Sequence, residues 1–438
     1  MFDISASEIF ELIDSNRTIV SSGSRETVSK LLKFTERGKV LNFQSGLDSS
    51  NWLIPENWEI LDAKLIDLSS NKIILSIEDS ILFIAPYSKS CDVILSKMEL
   101  MDITLSDPNN PNDFKYQHRL AYDSARTLKE TLISIPWKIL QGLDENGKFQ
   151  LVVKVKSEPG NMQIFQAATN NEEKDKVFLL SHYCHSGQLN DGLAGVYVMG
   201  RVFLEICKNP EKFNHNYVWL AFPETIGSSV YISNFPEILD QAYFSIFSEM
   251  PGAKSSIRIT NSRRKSTYID RLVKLVLESR LKEFSFVDFK QGWGNDEMVF
   301  DAPLVGIPSI SIDRAPFNHY HLSSDTELNF SIDSAEEVVN LIYETLVLFE
   351  RDYIPCPNYF VPPQLSRLGL YKDWSNSRSA YIQNMNLLDA ATGQESAVDI
   401  AIRLGLEIDK VFEFYDTLIK NGLVTPLKVD PRYARRVG

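Results

Sequence analysis

Residues 176–207 read KVFLLSHYCHSGQLNDGLAGVYVMGRVFLEIC, and their pattern sets the fold. KVFLLSHY (176–183) is a continuous apolar run, as expected of a parallel strand covered on both faces. LAGVYVMGRVFLEIC (193–207) follows with helical period. Working outward, HNYVWLAFP (215–223), YFSIFSEM (243–250) and VGIPSISID (305–313) read as further buried strands. TYIDRLVKLVLESRL (267–281) and SAEEVVNLIYETLVLFE (334–350) read as helices. Strands that alternate with helices predict an α/β layer with a mostly parallel sheet.

The flanks differ. Residues 1–44 predict two helices, the second beginning near Ser24 with Val28, Leu31, Leu32 and Phe34 as its apolar stripe. Residues 45–115 break into short segments such as WEILDAKLIDL, NKIILSI and SILFIAPY, separated by turn residues. They predict a small inserted β-rich domain, with SDPNNPND (106–113) as a loop. The α/β domain is then expected over 1–44 and 116–354. CPNYFVPP (356–363) marks a boundary. Beyond it, SAVDIAIRLGL and DKVFEFYDTLIKNGLVTPL predict helix, turn, helix and a short strand. That order suits a winged-helix-like domain over 355–438, with Gly422 ending its last helix.

Composition excludes several classes. At roughly 150 residues per domain, 438 residues allow two or three domains. The chain has 58 acidic and 45 basic side chains and a formal charge of −13. A nucleic-acid scaffold or an anionic-membrane binder would need the opposite sign. The opening MFDISASEIFELID has neither a basic nor a long apolar stretch, so no secretory signal is expected. No apolar run is long enough for a transmembrane helix. Cys91, Cys184, Cys207 and Cys356 form no CxxC, which argues against a disulfide framework. A cytoplasmic location is expected. Gly292 and Gly294 are not part of a dinucleotide fingerprint, and neither a Walker motif nor a GxSxG elbow occurs. The tail helices have too few basic residues for phosphate contacts, so a packing or partner role suits them better.

Chemistry concentrates at strand ends. Of six histidines, His182 and His185 share SHYCHSGQLND, and His319 and His321 share NHYHLSSD. His118 and His215 stand alone and read as structural. Ligands of open parallel sheets bind beyond the carboxyl ends of the strands. His182 leaves one such end, and Asp191 precedes the next helix either as its N-cap or as a metal-bridging carboxylate. Glu224 follows HNYVWLAFP, Glu249 ends YFSIFSEM, and His321 follows VGIPSISID. Imidazole and carboxylate together suit zinc and similar divalent ions.

VFLLSHYCHSGQLNDGLAG resembles the first metal-binding segment of the zinc aminopeptidase family with co-catalytic metals. CHSG (184–187), Asn190-Asp191 and PETIGS (223–228) are similar to a bacterial aminopeptidase-like branch associated with surface-polysaccharide gene sets. WLIPENW (52–58) and the tail from about residue 364 resemble that branch's inserted β-rich domain and winged helix. The resemblance implies an α/β, mostly parallel-sheet metallopeptidase-like core. It implies that His182, Asp191, Glu249 and His321 are metal ligands, with Asp191 shared if two ions bind. Three departures stand out. Cys184 replaces the Asp that orients the first His, Ser186 replaces a Pro, and the Glu-Glu pair is reduced to Glu224. His185 is therefore a rival ligand to His182, and one ion or two both stay open.

The function expected on these grounds is a metal-dependent hydrolase of a peptide or amide bond, with Glu224 as general base and a divalent metal, zinc first, as cofactor. Its substrate would be a small peptide or amino-acyl conjugate, with no nucleic acid or membrane as partner. The tail is a candidate surface for a homo-oligomer. Asn295 and Asp296 in GWGNDE are candidate substrate contacts, Asp296 meeting an amino group or merely capping a helix. Arg314 would bind a substrate carboxylate or form an internal ion pair. Tyr320 would stabilise an oxyanion or simply pack. Cys184 beside His185 is a weaker candidate as a nucleophile, because buried cysteines are mostly inert. Two rivals remain: an amidase or deacylase of a small amino-sugar or amino-acid conjugate, and a non-catalytic scaffold or binding protein that keeps the fold.

Overall fold

The computed structural model describes residues 4–117, 130–170 and 175–432, so His118 lies outside it. Two compact units form. The first comprises residues 1–210, 215–265 and 283–340, and the second 211–214, 266–282 and 341–438.

An eight-stranded sheet organises the first unit. In chain order its strands are β1 (Gly38–Gln44), β2 (Asn161–Ala168), β3 (Lys176–His182) and β4 (Asn216–Phe222). Then come β5 (Ala242–Ser248), β6 (Ile257–Thr260), β7 (Phe284–Val287) and β8 (Ser309–Arg314). Their spatial order is β1-β2-β4-β3-β5-β8-β6-β7. The β4-β3-β5-β8 centre is parallel, as expected. β1 pairs antiparallel with β2, β2 with β4 and β6 with β8, while β7 runs parallel to β6, so the whole sheet is mixed. Val177, Phe178, Leu179 and Leu180 of β3 are all 0% exposed. Burial on both faces is why this strand shows no alternation.

Two local expectations are corrected. Residues 38–44 are not helical but form β1, an edge strand paired from Gly38↔Ala167 to Gln44↔Asn161. The pairing partner lies far along the chain, so tertiary contact overrides local preference. SILFIAPY contains a 3₁₀ turn at Ile81–Phe83 rather than a strand, capped by the Ser80 side chain. Its apolar run instead buries Leu82, Phe83 and Ile84 beneath a smaller sheet. That sheet joins Asn57–Asp67, Lys72–Ser76 and Cys91–Ser96 with Lys148–Glu158, so one central strand comes from beyond residue 115.

In the second unit, helices Ala397–Leu404 and Ile408–Lys420 pack with Arg378–Ala390 around Leu387, Ile400, Phe412, Tyr415 and Leu418. Gly422, at φ 70°, lets Leu423 N–H reach Leu418 O at 2.9 Å and ends the last helix in a Schellman turn. Val424–Lys428 then pairs antiparallel with Tyr353–Pro357 as the wing. Tyr268 donates to Asp352 at 2.7 Å within the same unit. Among the described residues, no helix is long and apolar enough to cross a membrane.

Candidate metal centre

Register brings the chemistry to one edge. His182 ends β3 opposite Phe222 of β4, and Glu224 comes just after that strand. Ser248 ends β5 opposite Ile312 of β8, and Glu249 follows it. His321 lies in the loop after β8.

Asp191 arrives by an interrupted helix. Residues Leu189–Leu193 make one wide turn in which Asp191 (φ −80°, ψ 90°) and Gly192 (φ 109°, ψ −73°) are non-helical, and the helix proper is Ala194–Lys208. Asp325 holds this break. Its carboxylate accepts from Asn190 N–H at 2.9 Å and Asp191 N–H at 3.0 Å. A side chain at Gly192 would need this left-handed φ and would meet His182 Cδ2 at 3.3 Å. No side chain caps the helix, so Asp191 is not an N-cap.

The Asp191 carboxylate instead faces three imidazoles. Its Oδ1 is 3.5 Å from His182 Nε2 and 3.9 Å from His185 Nε2, and its Oδ2 is 3.0 Å from His321 Nε2. Glu249 Oε2 lies 3.1 Å from His182 Nε2, and Glu224 Oε2 lies 3.4 Å from His185 Nε2. Donor atoms of His182, His185 and Asp191 all fall within 4.8 Å of one another. A tetrahedral shell with bonds of about 2.1 Å has edges of about 3.4 Å. The observed spacings are therefore those of ligands around a cation. Both ring nitrogens of His182, together with Asp191 Oδ2, are buried and make no hydrogen bond. Such atoms are costly to leave unmet. The donor set fits a divalent ion.

Electrostatics agree. Burial alone would lower the His182 pKa, but Glu249, Asp191 and Asp296 outweigh it and hold it well above its ordinary value. Burial also raises Glu249, to about 8, against the pull of His182. Asp191 goes the other way: burial would raise it, but His185, His182 and His321 hold it well below the usual carboxylate range. Burial raises the Cys184 thiol to about 12, and its Sγ accepts from Glu224 N–H at 3.2 Å. A thiol held protonated in this way is no nucleophile.

Glu224 rests on a strained turn. Ile226 N–H reaches Glu224 O at 2.7 Å across Thr225, whose φ 59° and ψ −51° define the rare, strained form of γ-turn. Met250 (φ 44°) and His321 (φ 57°) also adopt positive φ. Strain at such a residue costs about 1–3 kcal/mol, and glycine's extra entropy about 0.5–1 kcal/mol. Thr225→Gly should therefore stabilise the protein by about 1 kcal/mol in urea denaturation, whereas Thr225→Ala should give no gain.

Arg17, which no motif pointed to, fixes the His185 loop. It is 0% exposed. Its guanidinium donates to Tyr183 O at 3.0 Å, Gln188 O at 2.9 Å and Ile13 O at 3.1 Å, and also to the Leu12 and His185 carbonyls. Burial lowers its pKa to about 10, so it stays charged at neutral pH. Each abandoned buried acceptor costs about 1–3 kcal/mol. Arg17→Met should thus lower unfolding free energy by about 3 kcal/mol or more, and Arg17→Lys by less. Equal midpoints for both variants and wild type in a denaturant series would refute this.

The four candidate substrate contacts lie as follows. Asp296 is 0% exposed and sits behind His182, out of a substrate's reach. Arg314 donates to Ser255 O at 2.6 Å and Ser334 O at 3.2 Å and pairs with Glu337, so the internal ion pair is what forms. Tyr320, 38% exposed, is stacked between Trp293, 4.8 Å away, and His321, 3.9 Å away. Asn295 Nδ2 donates to Glu249 Oε2 at 2.7 Å. His319 bonds Ser324 Oγ at 2.9 Å within its own loop. His215, at the opposite end of β4, packs on Tyr243. Besides Arg17, sequence reasoning missed Tyr116. Its ring lies 5.0 Å from His185 and 5.2 Å from His321, and its hydroxyl donates to Cys184 O at 3.2 Å.

Comparison with known proteins agrees with this architecture. A family model described as "Domain of unknown function (DUF4910)" matches residues 6–352, and one described as winged helix-turn-helix matches residues 358–426. A Clostridium acetobutylicum protein, provisionally described as a polysaccharide biosynthesis protein with an aminopeptidase-like domain, is 24% identical over 94% of this chain and 95% of its own. A crystal structure from the same species, provisionally described as a peptidase, superposes with a TM-score of 0.81 at 22% identity over 96% of each chain. The zinc aminopeptidase BSAP of Bacillus subtilis gives 0.58 at 14% identity, over 80% of this chain and 96% of its own. A peptidase M28 precursor from Shewanella amazonensis gives 0.56 at 12% identity, over 82% and 95%. The fold is aminopeptidase-like, with a C-terminal winged helix.

Proposed function

The chain belongs to the DUF4910 family, and from that premise we propose that it is a divalent-metal-dependent hydrolase of a peptide or amide bond. The observation that carries this reading is the spacing of donor atoms around Asp191, at 3.0 Å, 3.5 Å and 3.9 Å from three imidazoles. Zinc is the first choice, since imidazole and carboxylate are its usual partners. His182, Glu249 and Asp191 would hold one ion, and His321, His185 and Asp191 a second. Asp191, Glu224, Glu249 and Asp296 are buried carboxylates whose charge a divalent ion would help to neutralise. An isolated buried charge is otherwise costly.

When bound, the metal supplies Lewis-acid polarisation of the scissile carbonyl and lowers the pKa of water. The remaining chemistry belongs to the chain. Glu224, 3% exposed, takes a proton from the attacking water and delivers it to the leaving amine. The Cys184 thiol fixes its backbone by accepting from Glu224 N–H at 3.2 Å. Asn295 steadies Glu249.

The experiment is elemental analysis of the purified full chain, paired with hydrolysis of amino-acyl p-nitroanilides under added zinc, manganese or cobalt. Two ions per chain and turnover abolished by chelator are expected. A chain that takes up no divalent ion, gains no thermal stability from one and cleaves no amide would refute the proposal. A second reading keeps the site and changes the substrate to an amide on an amino-sugar or amino-acid conjugate. The polysaccharide-biosynthesis description of the Clostridium relative favours it. Faster turnover of an N-acyl amino sugar than of any amino-acyl anilide would select it.

A further inference from the structure

We infer that Asp296 is the positioning residue of His182, holding its ring from behind so that Nε2 faces the cation site. The inference rests on the metal-centre reading above. His182 is a strand-end residue whose Nε2 lies near Asp191 and Glu249, at 3.5 Å and 3.1 Å. Its other nitrogen, Nδ1, lies 3.6 Å from Asp296 Oδ2. Cys184, two residues along, does not serve Nδ1; its Sγ accepts from Glu224 N–H.

The Asp296 carboxylate is itself fixed. Its Oδ1 accepts from Thr225 N–H at 2.9 Å and from Ser228 Oγ–H at 2.6 Å. Its Oδ2 makes no hydrogen bond and is left for the ring. The residue is 0% exposed, away from bulk solvent. One carboxylate thereby links two parts of the site: the imidazole at the end of β3 and the turn that carries Glu224. A carboxylate on the far nitrogen of a ligating His fixes its tautomer and raises its basicity, and removing it commonly costs 10–100-fold in metal affinity.

The test uses the full chain. Zinc affinity of wild type and Asp296→Asn is measured by competition with a chromogenic chelator, and unfolding is followed in excess EDTA. The amide keeps an oxygen for Thr225 and Ser228, so the EDTA-treated variant should unfold near wild type. Its affinity for the more tightly held zinc should fall about 10–100-fold. Affinity within threefold of wild type would overturn the inference. A second measurement needs no variant. In ¹⁵N-histidine-labelled wild type, the His182 ring should carry its proton on Nδ1; a ring with bare Nδ1 would also overturn it. Should wild type bind no zinc, the hydrolase reading falls, and the ring tautomer, read at a pH alkaline enough to leave the imidazole neutral, still decides the role of Asp296.

Discussion

Glu224→Gln should lower hydrolysis by about 10²–10⁴-fold and leave the ion content unchanged. Glutamine matches glutamate in volume, so packing at this buried position survives. The backbone bond from Glu224 N–H to Cys184 Sγ is untouched by the change. What disappears is the capacity to take a proton. The measurement is kcat on an amino-acyl anilide beside metal content on the same sample. Undiminished kcat would remove Glu224 as base, and loss of an ion together with activity would make it a ligand instead. A scaffold that merely kept the fold would show no change in either quantity.

Asp191→Asn should be the most damaging single change at the centre. This carboxylate is the side chain that faces His182, His185 and His321 together. Its replacement keeps the backbone donation to Asp325 and so keeps the local turn. An amide is a poor ligand for zinc beside imidazole and carboxylate. Both ions should be lost, and hydrolysis should drop to background. Thermal unfolding gives the cleanest reading. A ligand at 1,000 times its dissociation constant adds about 4 kcal/mol of stability, so EDTA should lower the wild-type midpoint. The variant should be indifferent to EDTA. A variant that still binds two ions and still responds to chelator would refute the shared role of Asp191.

Much of this site is legible in one dimension because the strands that deliver it are buried on both faces. Such strands appear as apolar runs, and the polar residue ending each run then stands out. His182, Glu224 and Glu249 are visible for that reason, and Asp191 and His321 through their neighbouring motifs. The sequence leaves His182 and His185 as rivals, and the structure brings both imidazoles near Asp191 Oδ1. Residues acting through the backbone leave no such trace. Arg17 works on carbonyl oxygens, which every residue possesses, so no side-chain pattern could flag it. The place of Asp296 depends on packing between segments far apart in the chain, and its side chain alone suits a cap or a substrate contact equally well. β1 escapes the sequence pattern because it is a half-exposed edge strand whose partner is remote.

The latch formed by Asp325 reaches back 134 residues to the Asp191 amide. During synthesis, the Asp325 carboxylate reaches the broken turn before Ala194 only once residue 325 has cleared the ribosome. The centre therefore assembles late, after all the strands of the large sheet have been made. A nascent or prematurely terminated chain ending before that point lacks the clasp that seats the shared carboxylate. Such fragments should lack the gathering of donor atoms that the full chain shows around Asp191.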